Sequence, residues 1–268
     1  MSKNKNTFIV ITGVIIGLIG LFLFPLFAQG VSITLDDGTA LNLPDIEFEP
    51  SQWVEKEIEK KDFLHYTLDI TFLSPEQQKE IIKCIKERTD HIYLTGQYSR
   101  LIEEMNILKA LALSQGEDDL LAESLYYQGR AWYRQGKDDE ALQVLLQALE
   151  KYKALQDNQG IMRAYITLAG IYQSFQDLNK SEEYVQKALS LAEQLQDISG
   201  KASTSLSFGI ISFYRGDLEK AEKYFLDSCN LAAQAENVEI IALSLNNLAY
   251  VYVERGDYQK AQQVCESS

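Results

Sequence analysis

The sequence contains few of the residues from which most catalytic and metal sites are built. Only two of its 268 residues are histidine, three are cysteine and four are proline. It has no glycine-rich phosphate loop, no closely spaced pair of cysteines, and no histidine near a candidate nucleophile. The isolated thiols are typical of buried small apolar side chains. We therefore predict no catalytic residue, no metal site and no cofactor, which argues against an enzyme.

Basic residues are also scarce relative to acidic ones. The chain has 25 Lys and Arg against 39 Asp and Glu, a formal net charge of −14, and no strongly basic stretch. Because sequence-independent binding to nucleic acid depends on neutralising phosphates with Lys and Arg, this balance disfavours a nucleic-acid partner.

The N-terminal segment, residues 1–28, differs from the rest of the chain. Lys3 and Lys5 precede an uncharged apolar segment at residues 8–27, the pattern of an export signal. Ala28 offers a small residue for cleavage before Gln29, although about 20 apolar residues are also long enough to span a bilayer. The segment thus indicates a cleaved signal peptide or a retained membrane anchor, with a buried cytosolic helix as the third alternative. The first two place the remaining chain in the periplasm or outside the cell, or on the non-cytoplasmic side of a membrane.

Residues 29–75 contain alternating apolar and polar runs. Residues 31–35 and 39–43 both alternate and are separated by Asp37 and Gly38, which favours a β-hairpin. Residues 66–72 alternate as well and predict a third strand. The segment is interpreted either as a small β-containing cap or as an extended linker that docks on the rest of the chain.

The remainder is organised by an internal repeat. Gly96, Gly136, Gly216 and Gly256 share one position in a 40-residue period, and Gln176 occupies that position in the one repeat without glycine. Apolar and small residues follow each of them at fixed intervals. A constant period of this size indicates stacked structural repeats.

Residues 120–159 form the clearest repeat. Residues 122–135 have helical apolar spacing, Gly136 is suited to end that helix, and Asp138 is suited to begin a second one. The four residues from Asp157 predict the turn to the next repeat. Each repeat is therefore a helical hairpin, with small residues at close helix contacts and large ones, such as Trp132, filling the core between hairpins.

These hairpins resemble the tetratricopeptide repeat. The pattern of small, aromatic and glycine positions is carried by the following residues: Gly129, Trp132, Gly136, Ala141, Leu145, Ala148, Ala169, Tyr172, Ser181, Val185, Ala188, Gly209, Gly216, Ala221, Phe225, Ser228, Ala249, Tyr252, Gly256, Tyr258 and Ala261. The 40-residue period and residues 244–249 are similar to the long variant in kinesin light chain and many bacterial repeat proteins.

The resemblance implies an all-α fold, a right-handed superhelical solenoid of antiparallel helical hairpins, preceded by the small N-terminal segment. The array covers residues 76–268, with units near 79–119, 120–159, 160–199, 200–239 and 240–268. The first unit fits the pattern loosely and is expected to cap the array. The last is cut short in its second helix, so we expect a further segment after it.

The resemblance also implies a concave groove, lined by the first helix of each hairpin, that receives peptides or proteins. The register predicts these groove residues: Tyr126, Arg130, Tyr133, Arg134, Arg163, Asn246 and Asn247. Tyrosine and arginine are common at binding hot spots, and the arginines would favour an acidic or neutral extended peptide. The alternative is that they are ordinary exposed residues of amphipathic helices.

The sequence thus predicts an exported or membrane-anchored scaffold that binds a peptide or partner protein. The alternative is a sensory or regulatory repeat module of a larger protein with a C-terminal effector domain. Any membrane contact would involve only an uncleaved N-terminal segment, and the sequence does not define an oligomeric state.

Overall fold

A computed structural model describes residues 74–267 and four short segments before them, 9–12, 32–34, 40–42 and 65–68. The chain divides into two compact units, residues 1–131 and 132–268. The boundary between them lies within a single helix, Asp118–Arg134.

Helices joined by short turns make up the described chain from residue 75 onward. The ten helices there are α1 (Pro75–Leu94), α2 (Tyr98–Gln115), α3 (Asp118–Arg134), α4 (Asp138–Leu155), α5 (Asn158–Ser174), α6 (Leu178–Gln194), α7 (Ile198–Tyr214), α8 (Leu218–Gln234), α9 (Val238–Glu254) and α10 (Tyr258–Ser267). Because the turns are so short, consecutive helices run antiparallel as helical hairpins. The predicted all-α solenoid of hairpins is confirmed.

The turns recur at half the interval of the repeat that is visible in the sequence. Each contains a residue with positive φ: Gly96, Gly116, Gly136, Gln156, Gln176, Gln196, Gly216, Glu236 and Gly256. The five predicted positions within hairpins are confirmed. Each of the four turns between hairpins also contains one residue in the left-handed conformation, but three of these residues are not glycine. The spacing of glycines in the sequence therefore does not indicate these turns.

Side-chain caps begin most helices of the second unit. Asp157, Asp177, Asp197 and Asp217 each accept a hydrogen bond from the backbone N–H three residues later, at 2.8–3.2 Å. Each such cap is worth about 1 kcal/mol. The prediction that the chain turns over the four residues from Asp157 is wrong, since α5 begins at Asn158. A run of Asp, Asn, Gln and Gly suits a capped first helical turn as well as a loop.

The core of the second unit depends on glycines within helices. A Cβ added at Gly209 would lie 2.5 Å from the Phe225 ring, and one at Gly160 would lie 2.3 Å from the Tyr152 ring. Phe225 is 1% exposed and packs with Leu248 and other residues of α9. These glycines therefore bring neighbouring helices into direct contact with large aromatic rings.

Trp132 is half-buried, whereas the sequence suggested a fully buried core residue. The ammonium of Lys137 lies 4.3 Å from the centre of its ring. Lys137 occupies the position where later helices have a capping Asp, and it makes no side-chain cap. One face of the indole is therefore in contact with a cation.

The first unit contains a buried charge. Glu104 on α2 is fully buried and accepts hydrogen bonds from Arg88 Nε at 3.0 Å and Arg100 Nε at 3.1 Å. A carboxylate removed from water is stable only when it is paired and hydrogen-bonded, as it is here.

Four short strands precede the helices. β1 (Ile9–Thr12) pairs antiparallel with β4 (His65–Leu68), and β2 (Ser32–Thr34) pairs antiparallel with β3 (Ala40–Asn42). The β2–β3 pair lies within the two alternating runs at 31–35 and 39–43. The later part of the predicted third strand lies outside the described residues.

The predicted export segment falls mostly outside the described residues. The part that is described, β1, is a strand, and Ile and Val suit that conformation. Among the described residues, no helix combines the length and apolar character needed to cross a bilayer.

Candidate peptide-binding surface

The second unit exposes one stripe along its first helices, which we call the inner stripe. On α5, α7 and α9 its members are seven and eleven residues apart, so they share one helix face. They are Arg163, Gly170, Ser174, Ser203, Ile210, Tyr214, Leu243, Tyr250 and Glu254. None of the nine is buried, and Tyr214 and Tyr250 are 64% and 57% exposed.

An ion pair shows that this stripe lies on the concave side of the second unit. Arg134, at the end of α3, contacts Glu239, in the first turn of α9, with 2.6 Å between Nη2 and Oε1. Both residues fall on the inner stripe when the 40-residue register is extended to α3 and to the start of α9. The stripe must curve inward for helices so far apart in the array to touch.

Hydroxyl groups on and beside the stripe are bonded to their own helices. Thr167 donates to the carbonyl of Arg163 at 3.1 Å, and Ser203 to that of Ser199 at 3.1 Å. Ser207, just beside the stripe, donates to Ser203 at 3.0 Å. Because the protons are used within the helices, the hydroxyl oxygens are arranged to accept hydrogen bonds, the complement of peptide N–H groups.

The sequence predicted seven groove residues, and two of them lie in the first unit. Tyr126 is only 4% exposed and packs edge-on against Tyr127, so it is not the open apolar contact that was expected. The Arg130 guanidinium lies 3.8 Å from the centre of the Tyr93 ring, so that its cation is already held by an aromatic face.

Tyr127, adjacent to this pair, is buried and donates its hydroxyl proton to Asp90 at 2.9 Å. Burial raises the pKa of Tyr127 well above its usual value, and the neighbouring Asp90 carboxylate raises it further. The aromatic and basic residues here thus form an internally bonded cluster.

The other five predicted residues lie in the second unit. Tyr133 places its hydroxyl oxygen 2.8 Å from where a Cβ at Gly170 would be, so that this ring abuts the backbone of α5. Arg134 pairs with Glu239, as described above, and Arg163 is half-buried on the inner stripe.

Asn246 and Asn247 differ although they are adjacent. Asn246 is exposed, whereas Asn247 is half-buried and donates its amide N–H to the carbonyl of Leu243 at 2.7 Å. Consecutive helical residues point about 100° apart, so these two amides face different directions.

Sequence reasoning missed the apolar members of the stripe. Ile210 and Tyr250 lie two and three repeat periods after Arg130, and Tyr214 lies two periods after Arg134. The 40-residue register therefore contained the signal. The predicted groove residues are all Tyr, Arg or Asn, and so they leave out the apolar residues at the same register positions in later repeats.

The described residues supply little for covalent chemistry. They contain no group of three or more His, Cys, Asp or Glu arranged to hold a metal ion. Burial raises the pKa of the Cys84 and Cys229 thiols, which keeps both protonated and poorly nucleophilic at neutral pH. The arrangement is suited to contact and hydrogen bonding.

Two profiles of the tetratricopeptide repeat match the sequence, one over residues 160–234 and 200–268 and the other over residues 123–154. With the hairpin fold and the 40-residue register, these matches establish that the chain belongs to the tetratricopeptide repeat family. No curated protein has significant sequence similarity to it.

Solved structures share the fold at low sequence identity. A Rap protein complexed with competence and sporulation factor has a TM-score of 0.64 and 17% identity over 74% of this chain and 54% of its own. Aspartyl phosphate phosphatase F from Bacillus subtilis has a TM-score of 0.57 and 18% identity over 72% and 51%. BtubC from P. vanneervenii has a TM-score of 0.48 and 16% identity over 71% of this chain and 89% of its own. The chain thus spans about half the length of the first two of these structures.

The tetratricopeptide repeat fold is generally a non-catalytic scaffold for protein interaction, and this chain has that fold.

Proposed function

We propose that the protein is an exported or membrane-anchored interaction scaffold, not an enzyme, and that the inner stripe of its second unit binds an extended peptide or a segment of a partner protein. The observation that carries the proposal is the exposure of Tyr214 and Tyr250 on that stripe. Exposed tyrosines on a concave surface, with hydrogen-bond acceptors beside them, provide both parts of a peptide site.

The surrounding chemistry supports a peptide rather than a nucleic acid. The stripe combines Arg163 and Glu254 with neutral hydroxyl and apolar groups, and the whole chain has a net charge of −14. Repulsion from this charge opposes a polyphosphate, whereas a short peptide can satisfy one arginine with one carboxylate.

Retention of peptides tests the site. A random hexapeptide library is passed over the immobilised protein, and the retained peptides are measured by mass spectrometry. Replacing both Tyr214 and Tyr250 with Ala should reduce retention at least tenfold, because each contact of this kind is worth about 1 kcal/mol or more. The circular dichroism spectrum should not change, since both rings are exposed.

Leu146 and Leu226 provide the matched control. They are 38% and 42% exposed, occupy equivalent positions on second helices two repeats apart, and are outside the inner stripe. Their double replacement with Ala should leave retention intact. Equal loss from both double variants would show that the inner stripe is not the binding surface.

Export is a separate part of the proposal, supported by Lys3, Lys5 and the apolar segment at 8–27. A reporter active only outside the cytoplasm, fused after Gly30, should need that segment intact. A mature chain that begins at Gln29 indicates cleavage, and full-length protein found only in membranes indicates an anchor. Full-length protein in the cytosol contradicts both.

A second candidate function is ligand-responsive regulation as part of a larger protein. It is favoured by the similarity to a Rap protein that was solved in complex with competence and sporulation factor and is about twice as long as the matched region. In this case a retained peptide should change hydrogen exchange in helices that it does not touch, whereas a passive scaffold should be protected only at the site.

A further inference from the structure

We propose that Glu239 is an internal competitor for the carboxylate of a ligand, and that an acidic peptide binds by displacing Glu239 from Arg134. The inference rests on the proposed function and specifies how the inner stripe recognises charge. Three features of the Arg134–Glu239 pair lead to it: its span, its exposure and its place beside the exposed stripe.

The span of the pair is unusual for the array. Arg134 and Glu239 are 105 residues apart in the chain. By comparison, Gln159 reaches Asp197, and Asn237 reaches Ser199, each across 38 residues between adjacent hairpins. The Arg134–Glu239 pair instead joins α3 to α9, with the two intervening first helices, α5 and α7, lying between them in the array.

Such a span requires curvature. Neighbouring packed helices are about 8–10 Å apart, so three flat steps from α3 to α9 would cover about 24–30 Å. That distance exceeds what an arginine and a glutamate side chain reach together. The pair therefore forms only because the inner surface curves, and a ligand lying along that surface encounters both side chains.

The exposure of the pair makes it displaceable. The side chains of Arg134 and Glu239 are 33% and 32% exposed. Both charges remain partly solvated, and ion pairs of this type change an equilibrium by about fivefold at most. A ligand carboxylate would gain a similar free energy from the same guanidinium. Exchange between Glu239 and the ligand's acid is therefore close to balanced.

The inner stripe carries other groups that suit a peptide with an acidic side chain. Arg163 lies on the same inner stripe, and the hydroxyls of Thr167 and Ser203 offer acceptors to the backbone N–H groups that accompany a peptide carboxylate. A peptide could thus release Glu239 to solvent while its own acid takes the place on Arg134.

This inference predicts opposite effects from removing the two partners. Glu239→Gln removes the competitor and should raise the ratio of Glu-containing to Gln-containing hexapeptides retained from the library, by up to about fivefold. Arg134→Gln removes the shared cation and should lower that ratio below the parent value. If the ion pair served only to hold the inner surface in shape, both variants would loosen the same contact and lower the total amount of peptide retained.

A matched control is available on α6, where Glu183 pairs with Lys187 at 2.5 Å, with side chains 61% and 46% exposed. Glu183→Gln removes one acid of a similar pair outside the inner stripe and should leave the ratio unchanged. It corrects for the general effect of a less negative protein.

The outcomes separate the inference from the function on which it rests. Opposite shifts for Glu239→Gln and Arg134→Gln, with no shift for Glu183→Gln, support the exchange. If all proteins retain peptides and the two variants shift the ratio together or not at all, the exchange is wrong and the peptide site stands. If neither the parent nor any variant retains peptides, the proposed function is wrong, and the exchange with it.

Discussion

The two units use charge in different ways. In the first unit, charged groups are held inside the structure: Glu104 is buried between Arg88 and Arg100, and Arg130 lies on the Tyr93 ring. In the second unit, aspartates cap the helices and ion pairs join neighbouring hairpins. The first arrangement is specific to its site, whereas the second is repeated.

The repetition is clearest in two equivalent ion pairs of the second unit. Arg215 contacts Glu182, and Arg255, one repeat period after Arg215, contacts Glu222, one period after Glu182. Regular hairpins can therefore repeat the same ion pair at successive junctions. The first unit departs from the family pattern, and its helices are joined by the network of Glu104, Arg88 and Arg100, which is not repeated in this form among the described residues.

The largest expected effect compares two aromatic residues of the second unit. Phe225→Ala should cost about 3–5 kcal/mol because it empties a fully buried site against Gly209. Trp132→Ala should cost less, about 2 kcal/mol, because its ring is only half-buried. Chemical denaturation measures both. A larger loss for Trp132→Ala would show that the indole belongs to the core after all.

The buried charge of the first unit gives the next largest effect. Glu104→Gln leaves Arg88 and Arg100 without their carboxylate and should cost about 2–4 kcal/mol, toward the lower end for a buried pair because both arginines are partly exposed. Hydrogen exchange should rise in α1 and α2. Glu123→Gln, which removes the partly exposed partner of Lys86, should cost under about 1 kcal/mol. Equal costs would mean that Glu104 is no more important than a surface acid.

Helix caps test the difference between the two units in both directions, because a cap can be removed from the second unit and added to the first. Asp197→Ala should cost about 1 kcal/mol, since Asp197 accepts from the Gly200 N–H. Gln97 in the first unit has φ −80° and ψ 53° but no side-chain cap, and Asp177 has φ −85° and ψ 73° with one. Gln97→Asp should therefore stabilise α2, by up to about 1 kcal/mol. Loss of stability would show that the backbone at this turn does not suit the cap.

The smallest effect is a pH dependence at the junction of α8 and α9. Burial opposes ionisation of Glu222, but hydrogen bonds from Arg255 and Tyr252 hold its pKa below the ordinary value. Its stabilisation is therefore present above the unfolded pKa of about 4.5 and is lost as the pH falls through the lower folded value.

Thermal unfolding from pH 7 to pH 3 measures this dependence. The Tm of the parent protein should fall slightly more over this pH range than the Tm of Glu222→Gln, because the variant has no carboxylate to protonate at this junction. Identical slopes would indicate that the partly exposed pair contributes nothing measurable.

Much of the fold could be predicted from the sequence because it depends on local chemistry repeated at a fixed interval. Gly136 and Gly216 mark turns, and Ala141 and Gly209 mark close helix contacts, wherever they recur. The turns between hairpins were harder to detect, since Gln156, Gln196 and Glu236 adopt the left-handed conformation without the residue that usually signals it.

The candidate site was less predictable for a physical reason. Register places a residue on a helix face, but burial depends on what packs against that face. Tyr126 was assigned to the groove by register and is buried, while Ile210 and Tyr250 follow the register of Arg130 and are not buried.

The sequence by itself determined the all-α repeat, the hairpin turns and the small residues where helices meet, because each depends on neighbours within one period of the chain. Only the tertiary structure decided that Arg134 meets Glu239, that Arg130 rests on Tyr93, and that Trp132 is half-buried. The Arg134–Glu239 contact depends on how small rotations between hairpins add up over three repeats. No local pattern of residues encodes that sum, which therefore emerges only when the helices are packed.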